Sequence, residues 1–184
     1  MLDTHATPAS LHEHFQRSVL PHLHDAHRLA RWLLRDDHDA QDVVQEAYLA
    51  AFRFFGNFHE DNARAWILTI VRNTCYSWLR RKRSVEPADP FDEESHSLDE
   101  RGEPIDSGAW NPERLCLRSL LRERIAQALN RLPVVCREVL VLREIEGMSY
   151  REIAATAGVP LGTVMSRLAR ARSLLRGQLA DVGC

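Results

Sequence analysis

The sequence predicts an all-α protein made of two small helical domains joined by a flexible acidic linker. Apolar residues recur at spacings of three and four, and no segment sustains the period-two alternation typical of strands. The length of 184 residues suits one domain or two small ones. An acidic, proline-containing segment divides the chain, so we expect domains at residues 10–83 and 114–180 and a linker at residues 84–113.

The composition is that of an ordinary soluble protein. Glycine and proline number only 8 each, which excludes collagen-like and low-complexity chains. No apolar run approaches the roughly 18 residues of a membrane span, and no basic segment followed by an apolar stretch opens the chain. The cysteines are scattered without a CxxC pair, so we expect no disulfide framework, no structural zinc and a cytoplasmic location without membrane insertion.

Charge is distributed unevenly along the chain. Residues 84–113 carry ten acidic and one basic side chain, whereas residues 114–184 have a net charge of +6. An acidic segment such as residues 84–113 cannot bury enough apolar surface to offset the conformational entropy that it would lose on folding. All but one of the 24 basic residues are arginine, which suits bidentate contact with phosphate and bases, although GC-rich coding gives the same bias. The segmental charge therefore suggests a nucleic-acid partner.

Four helices are predicted in the N-terminal domain. The first follows Ser10 and is broken at Pro21, and the second covers residues 22–34. The third begins at Asp39, whose carboxylate can cap the free amides, and ends at Phe55. The fourth covers residues 63–83.

The third helix has one face that must be buried and one that need not be. The apolar stripe consists of Ala40, Val44, Ala47, Tyr48, Ala51 and Phe55. Another side carries Asp42, Gln45, Leu49 and Arg53. Because Leu49 stands among polar residues, this side is either a partner surface or a plain solvated face.

The fourth helix combines a buried stripe with a polar face of unusual composition. The stripe consists of Trp66, Ile67, Ile70, Val71, Thr74 and Trp78, and the polar face of Thr69, Arg72, Asn73, Tyr76, Arg80 and Arg83. Arginines neutralise phosphate and flat side chains stack on unpaired bases, so this face suits single-stranded nucleic acid. The small polar residues of the loop at 56–62 could line a pocket for an extruded base. The alternative is an amphipathic helix whose basic end complements its own dipole.

The C-terminal domain contains a predicted helix-turn-helix. Helices are expected at residues 113–131, 134–145, 149–157 and 161–177. Ser149 and Glu152 have capping-box spacing, and Gly158 supplies the turn after the short helix they begin. The last helix is rich in arginine and has a buried stripe at Val164, Leu168, Ala171 and Leu175. A helix-turn-helix is favoured over an ordinary helical hairpin.

Three segments carry a resemblance to a known family. They read DAQDVVQEAYLAAFRFF, ARAWILTIVRNTCYSWLRRKR and LNRLPVVCREVLVLREIEGMSYREIAATAGVPLGTVMSRLARAR. In this order and spacing the chain resembles a bacterial extracytoplasmic-function (ECF) RNA polymerase sigma factor. The resemblance implies that the N-terminal domain is sigma domain 2, which binds the clamp helices of the largest polymerase subunit and melts the minus-ten element. The C-terminal domain would be sigma domain 4, which binds the minus-thirty-five element and the flap of the second subunit.

The resemblance also implies partners and site residues. Core-polymerase binding would involve Asp42, Gln45 and Leu49. Minus-ten DNA would be bound by Asn57, Asn62, Arg64, Arg72, Asn73, Tyr76 and Arg80. Minus-thirty-five DNA would be bound by Thr163, Met165, Ser166, Arg167, Ala169 and Arg170. Many relatives have a basic residue where this chain has Met165, which cannot donate to a guanine edge. An anti-sigma factor is a further implied partner.

The remaining motifs indicate no chemistry of the chain's own. No phosphate-cradling loop, nucleophile elbow or HExxH occurs, so we predict no catalytic residue and no cofactor. Histidines crowd residues 12–27, but no cysteine or carboxylate cluster completes a metal site, and we predict none. Two alternatives remain: a stand-alone helix-turn-helix regulator with an N-terminal sensing or dimerisation bundle, and a helical interaction adaptor. A duplex-only regulator has no use for the stacking face at residues 72–76.

Overall fold

The computed structural model describes residues 8–58, 62–85 and 112–180. All regular structure in these ranges is helical, which confirms the all-α fold class. The interior of the predicted linker, residues 86–111, lies outside the described residues. None of the described helices combines the length and apolarity that a membrane span requires.

The N-terminal domain contains helices α1 (Pro8–Ser18), α2 (Leu23–Leu34), α3 (Asp37–Phe54) and α4 (Ala63–Val85). Short 3-10 turns at Leu20–His22 and Phe55–Asn57 join them.

The start of α3 differs from the prediction. Its N-cap is Asp36, whose Oδ1 accepts from the backbone N–H of Asp39 at 2.8 Å. The predicted cap at Asp39 is therefore wrong, because the helix begins two residues earlier and Asp39 lies in its first turn. Arg35 takes a left-handed conformation with φ of 63°, which ends α2 directly before this cap.

Helices α2, α3 and α4 pack around one core. Fully or nearly fully buried side chains include Leu29, Leu33, Val43, Ala47, Ile67 and Val71. The stripe predicted for α3 is buried except for Tyr48, which is half-buried and donates from its hydroxyl to the carbonyl of Val19 at 3.3 Å. The buried residues of α4 are Ile67, Leu68, Val71 and Cys75. The other members of the predicted stripe are only half-buried, namely Trp66, Ile70, Thr74 and Trp78, so the buried side of α4 is rotated from the predicted one.

The C-terminal domain contains α5 (Pro112–Asn130), α6 (Val134–Leu140), α7 (Tyr150–Ala157) and α8 (Leu161–Ala180). A π-helical turn at Val141–Ile145 continues α6, so the helix predicted at 134–145 widens over its last five residues. The backbone N–H of Glu146 closes this turn on the carbonyl of Val141 at 3.0 Å.

The predicted helix-turn-helix is present. The capping box of α7 is complete, with Ser149 Oγ accepting from Glu152 N at 3.2 Å and Glu152 Oε2 accepting from Ser149 N at 2.8 Å. Gly158 takes φ of 64° and ends the helix. Val164, Leu168 and Ala171 of α8 are buried, as their spacing predicts, and Leu175 is half-buried.

The two domains are in direct contact. Helix α2 packs against α6 and the π-helical turn, and α4 packs against α7. The contact buries Glu138 and Glu146, and Arg137 is only 2% exposed. Sequence reasoning predicted two domains but not this interface.

Candidate nucleic-acid interface

The polar face predicted for α4 gathers a cation, an amide and an aromatic ring. The Arg72 guanidinium lies 4.4 Å from the centre of the Tyr76 ring, and its Nη1 donates to Asn73 Oδ1 at 3.0 Å. Arg80 is exposed and donates to Ser77 Oγ at 3.1 Å. These five side chains line an open cavity of about 320 Å³. The arrangement can contact phosphate and stack on a base at the same place.

Two of these side chains are already bonded to the other domain. Arg72 Nε donates to Glu138 Oε1 at 2.5 Å, and Tyr76 Oη donates to Glu138 Oε2 at 2.8 Å. Burial and the charge of Glu138 raise the pKa of the Tyr76 hydroxyl. The sequence predicts a face open to solvent or nucleic acid, whereas in the structure Glu138 covers part of it.

The loop before α4 is likewise held at its end. Asn62 Oδ1 accepts from the backbone N–H of Ala65 at 2.9 Å, which caps the helix. Asn62 Nδ2 also donates to Glu152 Oε1 at 3.1 Å across the domain interface. The capping box and this amide lower the pKa of Glu152.

A second cavity, of about 440 Å³, lies beside this loop. Its lining is His14, Ser18, His22, Phe58, Asn62, Ala63 and Arg64. The Phe58 ring stacks on the Phe55 ring with their centres 5.4 Å apart, and its centre lies 4.8 Å from that of Trp66. Aromatic packing therefore fixes one wall of the cavity. Asn57 lies in the 3-10 turn that leads to this wall. Phe58 and Asn62, at the two ends of this loop, therefore border a cavity where the sequence predicts a base pocket, and residues 59–61 of the loop lie outside the described residues.

An ion-pair network surrounds Arg64. Its Nε donates to Asp25 Oδ2 at 2.7 Å, and its Nη2 donates to Glu146 Oε2 at 2.6 Å. Arg28 binds the same two carboxylates, through Nη2 to Asp25 at 2.9 Å and through Nε to Glu146 at 2.7 Å. Burial alone would raise the pKa of Asp25, but the two guanidinium groups outweigh it and hold that pKa below its usual range.

The helix-turn-helix directs most of its predicted contact residues outward. Met165, Ser166, Ala169 and Arg170 are exposed, with Met165 at 48%. Thr163 and Arg167 are half-buried, so they contribute smaller surfaces. Arg172 Nη2 donates to Glu144 Oε1 at 2.8 Å, which ties α8 to the π-helical turn.

The outward side of α3 is as the spacing predicts. Asp42, Gln45 and Leu49 are all exposed, and Leu49 is 63% exposed despite being apolar. Phe52 extends the same side and is 41% exposed, with its ring edge-on to Phe15 at 5.2 Å. Sequence reasoning missed Phe52, although its spacing of three from Leu49 was a usable signal.

Within the described ranges, no group of three or more His, Cys, Asp or Glu side chains could hold a metal ion. His27 instead lies 3.7 Å from Asp37.

Comparison with family models defines the class of protein. The model "Sigma-70 region 2" matches residues 19–85, and the model "Sigma-70, region 4" matches residues 122–175. A helical bundle that matches region 2 and a helix-turn-helix that matches region 4 occur in one chain. Together they define a two-domain protein of the sigma-70 type.

Curated relatives narrow the class. The chain is 36% identical to the "ECF RNA polymerase sigma-E factor" of Escherichia coli K12, over 74% of this chain and 72% of the relative. It is 36% identical to the "RNA polymerase sigma-H factor" of Pseudomonas aeruginosa, over 88% of this chain and 83% of that relative. It is 35% identical to the "ECF RNA polymerase sigma factor SigE" of Mycolicibacterium smegmatis, over 88% of this chain but only 60% of that relative. The chain belongs to the ECF RNA polymerase sigma factors.

Two solved structures share the fold across both domains. The sigma factor RpoE in complex with the anti-sigma factor NepR from Bartonella quintana has a TM-score of 0.69 and 27% identity, covering 91% of this chain and 98% of that one. The structure of CnrH in complex with the cytosolic domain of CnrY has a TM-score of 0.60 and 26% identity, covering 97% and 92%.

Proposed function

We propose that this chain binds core RNA polymerase, recognises promoter DNA and initiates transcription of a specific regulon in the cytoplasm. The observation that carries the proposal is the Arg72–Asn73–Tyr76 cluster on α4, in the same chain as a helix-turn-helix. Duplex recognition alone would not need a stacking surface. The polymerase supplies the chemistry, so the chain needs no catalytic residue and no cofactor.

The N-terminal domain, residues 10–83, takes the minus-ten role. Arg72, Tyr76 and Arg80 contact the melted strand, with Asn73 holding the Arg72 guanidinium in place. Asn62 and Arg64, which line the 440 Å³ cavity, receive the extruded base together with Asn57, which lies in the 3-10 turn before Phe58.

The C-terminal domain, residues 114–180, takes the minus-thirty-five role. Met165, Ser166, Ala169 and Arg170 enter the major groove, because they are exposed on one side of the first turns of α8. Thr163 and Arg167 flank them and contact the backbone phosphates.

The decisive experiment separates a sigma factor from a stand-alone regulator. Promoter binding and run-off transcription are measured on a genomic promoter library, with and without core polymerase. We expect specific binding and transcripts only when core polymerase is added. Tight specific binding by the chain alone, with no transcripts on adding polymerase, would favour the stand-alone regulator.

The exposed side of α3 is assigned to the polymerase clamp helices. Replacing Asp42 and Gln45 together by alanine should weaken association with core enzyme by about tenfold or more, because each loses a polar contact at an interface. The measurement is co-purification with core polymerase and fluorescence titration. Gln41→Ala, an exposed residue of the same helix, is the matched control, and normal co-purification of the double variant would remove the assignment.

Met165 is expected to sense a thymine methyl or groove shape by apolar contact. Met165→Arg should shift preference at one base pair of the upstream element by about 1–3 kcal/mol. The fold should be unaffected, because the side chain is half exposed. Binding is measured against every single substitution of that element, with Arg176→Lys as the control. An unchanged profile would mean that Met165 does not reach a base.

An anti-sigma factor is the proposed regulator. The support is that both structural relatives with similar two-domain arrangements were solved with a partner of this kind or a cytosolic domain bound. The exposed Leu49 and Phe52 offer apolar surface that such a partner would cover.

A further inference from the structure

We propose that the chain without polymerase is held closed by an interdomain latch, in which Glu138 and Glu146 of the C-terminal domain bind the promoter-reading side chains of the N-terminal domain. The latch hides the minus-ten surface until core polymerase separates the domains. This inference rests on the proposed function, because it concerns the availability of that same surface.

Glu138 occupies side-chain donors that the proposed function assigns to the melted strand. Its side chain is fully buried, and its two oxygens accept from Arg72 Nε at 2.5 Å and Tyr76 Oη at 2.8 Å. A carboxylate and a phosphate compete for the same guanidinium donors. Arg72 and Tyr76 therefore cannot hold Glu138 and a melted strand at the same time.

Glu146 makes the second half of the latch. Its fully buried carboxylate accepts two bonds from Arg28, at 2.7 and 2.8 Å, and one from Arg64 at 2.6 Å. The π-helical turn Val141–Ile145 directly precedes it and sets its approach to α2 and α4. Arg28 is thus a residue of the latch that has no proposed contact with DNA.

The latch engages much of the proposed minus-ten set. Glu138 and Glu146 hold three of its seven members, namely Arg64, Arg72 and Tyr76. Glu152 of the same domain holds a fourth, Asn62. Contact between the domains at an unrelated surface would have left these side chains free for solvent. The engaged groups are instead the ones that DNA requires.

A buried charge makes the closed form ready to open. Arg137 is 2% exposed, and its guanidinium donates only to the carbonyls of Asn130 at 3.1 Å and Leu33 at 3.2 Å. Its Nε is buried without a partner, and within the described ranges no carboxylate pairs with it. Burial, with the nearby charge of Arg35, lowers the pKa of Arg137, so the charged form is destabilised there. Separation of the domains returns the Arg137 guanidinium to water and removes this desolvation cost. The free energy that favours the closed form is therefore smaller than the latch contacts alone would give.

The test opens the latch by substitution in the full-length chain without polymerase. The variant is Glu138→Gln with Glu146→Gln, and the control is Glu13→Gln with Glu123→Gln. The control removes the same net charge from two exposed positions outside the π-helical turn. The measurements are the radius of gyration by small-angle X-ray scattering, and the affinity for a fluorescein-labelled, random-sequence single-stranded 20-mer by anisotropy.

We expect the latch variant to become more extended and to bind the oligonucleotide about tenfold more tightly than the control. That factor corresponds to release of a state closed about nine-tenths of the time. Circular dichroism checks folding. Arg28→Gln attacks the latch from the N-terminal domain and gives a second test if the glutamate variant does not fold.

The outcomes separate the latch from the function beneath it. An unchanged radius in both the latch variant and Arg28→Gln would overturn the latch. Extension without a gain in oligonucleotide affinity over the control would overturn the claim that closure hides the surface. If extension and tighter binding occur, but adding Arg72→Ala and Tyr76→Ala leaves that binding intact, the latch holds and the proposed minus-ten role of those residues is wrong.

Discussion

Replacing Arg72 and Tyr76 by alanine is expected to abolish promoter opening while leaving association with core polymerase intact. Both side chains belong to the stacked cluster on α4, and base stacking contributes about 1–3 kcal/mol per base. Loss of Tyr76 alone should therefore slow opening by roughly ten- to hundredfold, since about 1.4 kcal/mol is a factor of ten. Loss of the Arg72 charge adds to this by removing a phosphate contact.

Permanganate footprinting of the melted region measures opening, and polymerase binding is measured in parallel. Arg81→Ala is the matched control, because Arg81 is on the same helix but pairs with Glu46 of α3 at 3.2 Å. Normal opening by both the Arg72 and Tyr76 variants would mean that the surface is only solvated.

Shortening the segment between the domains should have an equally large effect. Two promoter elements about two duplex turns apart are separated by roughly 70 Å, at about 34–36 Å per turn. The 26 residues from 86 to 111 can reach about 90 Å when extended, but as a flexible coil span only about 30 Å. Deleting about 20 of them leaves a reach of roughly 20 Å. We expect transcription to be lost while each domain still binds its own target.

A glycine–serine segment of the original length is the control for this deletion. It restores the reach but not the acidic charge, so it should recover more transcription than the shortened chain. Labels on the two domains should also move far apart when core polymerase is added. Full activity of the shortened chain, or an unchanged label distance, would contradict recognition of two separate elements.

Local signals predicted most of the fold. Glu152 stands three residues after Ser149, which is the spacing of a capping box, and Gly158 takes the left-handed conformation that a helix end favours. The helix-turn-helix can therefore be predicted from a few positions. The exposure of Leu49 likewise followed from helical spacing. These features depend on residues within one or two turns of each other, where sequence pattern is most informative.

The interface between the domains was not predictable in the same way. Glu138 meets Arg72 and Tyr76 across 66 and 62 residues of sequence, and no periodicity links them. Glu138 follows a predicted helical pattern and gives no sign that its carboxylate will be buried.

The pairing of Glu138 with Arg72 within one chain has a consequence for cellular dosage. An intramolecular contact has an effective concentration fixed by the tether, so its occupancy does not change when the cell makes more of the protein. Extra copies enlarge a closed reservoir, and the number of active molecules follows the supply of unoccupied core polymerase. Part of the free energy of binding to polymerase is used to separate the two domains. A weaker Glu138–Arg72 contact therefore raises the apparent affinity for polymerase. A single glutamate can thereby set how well this factor competes with the cell's other sigma factors.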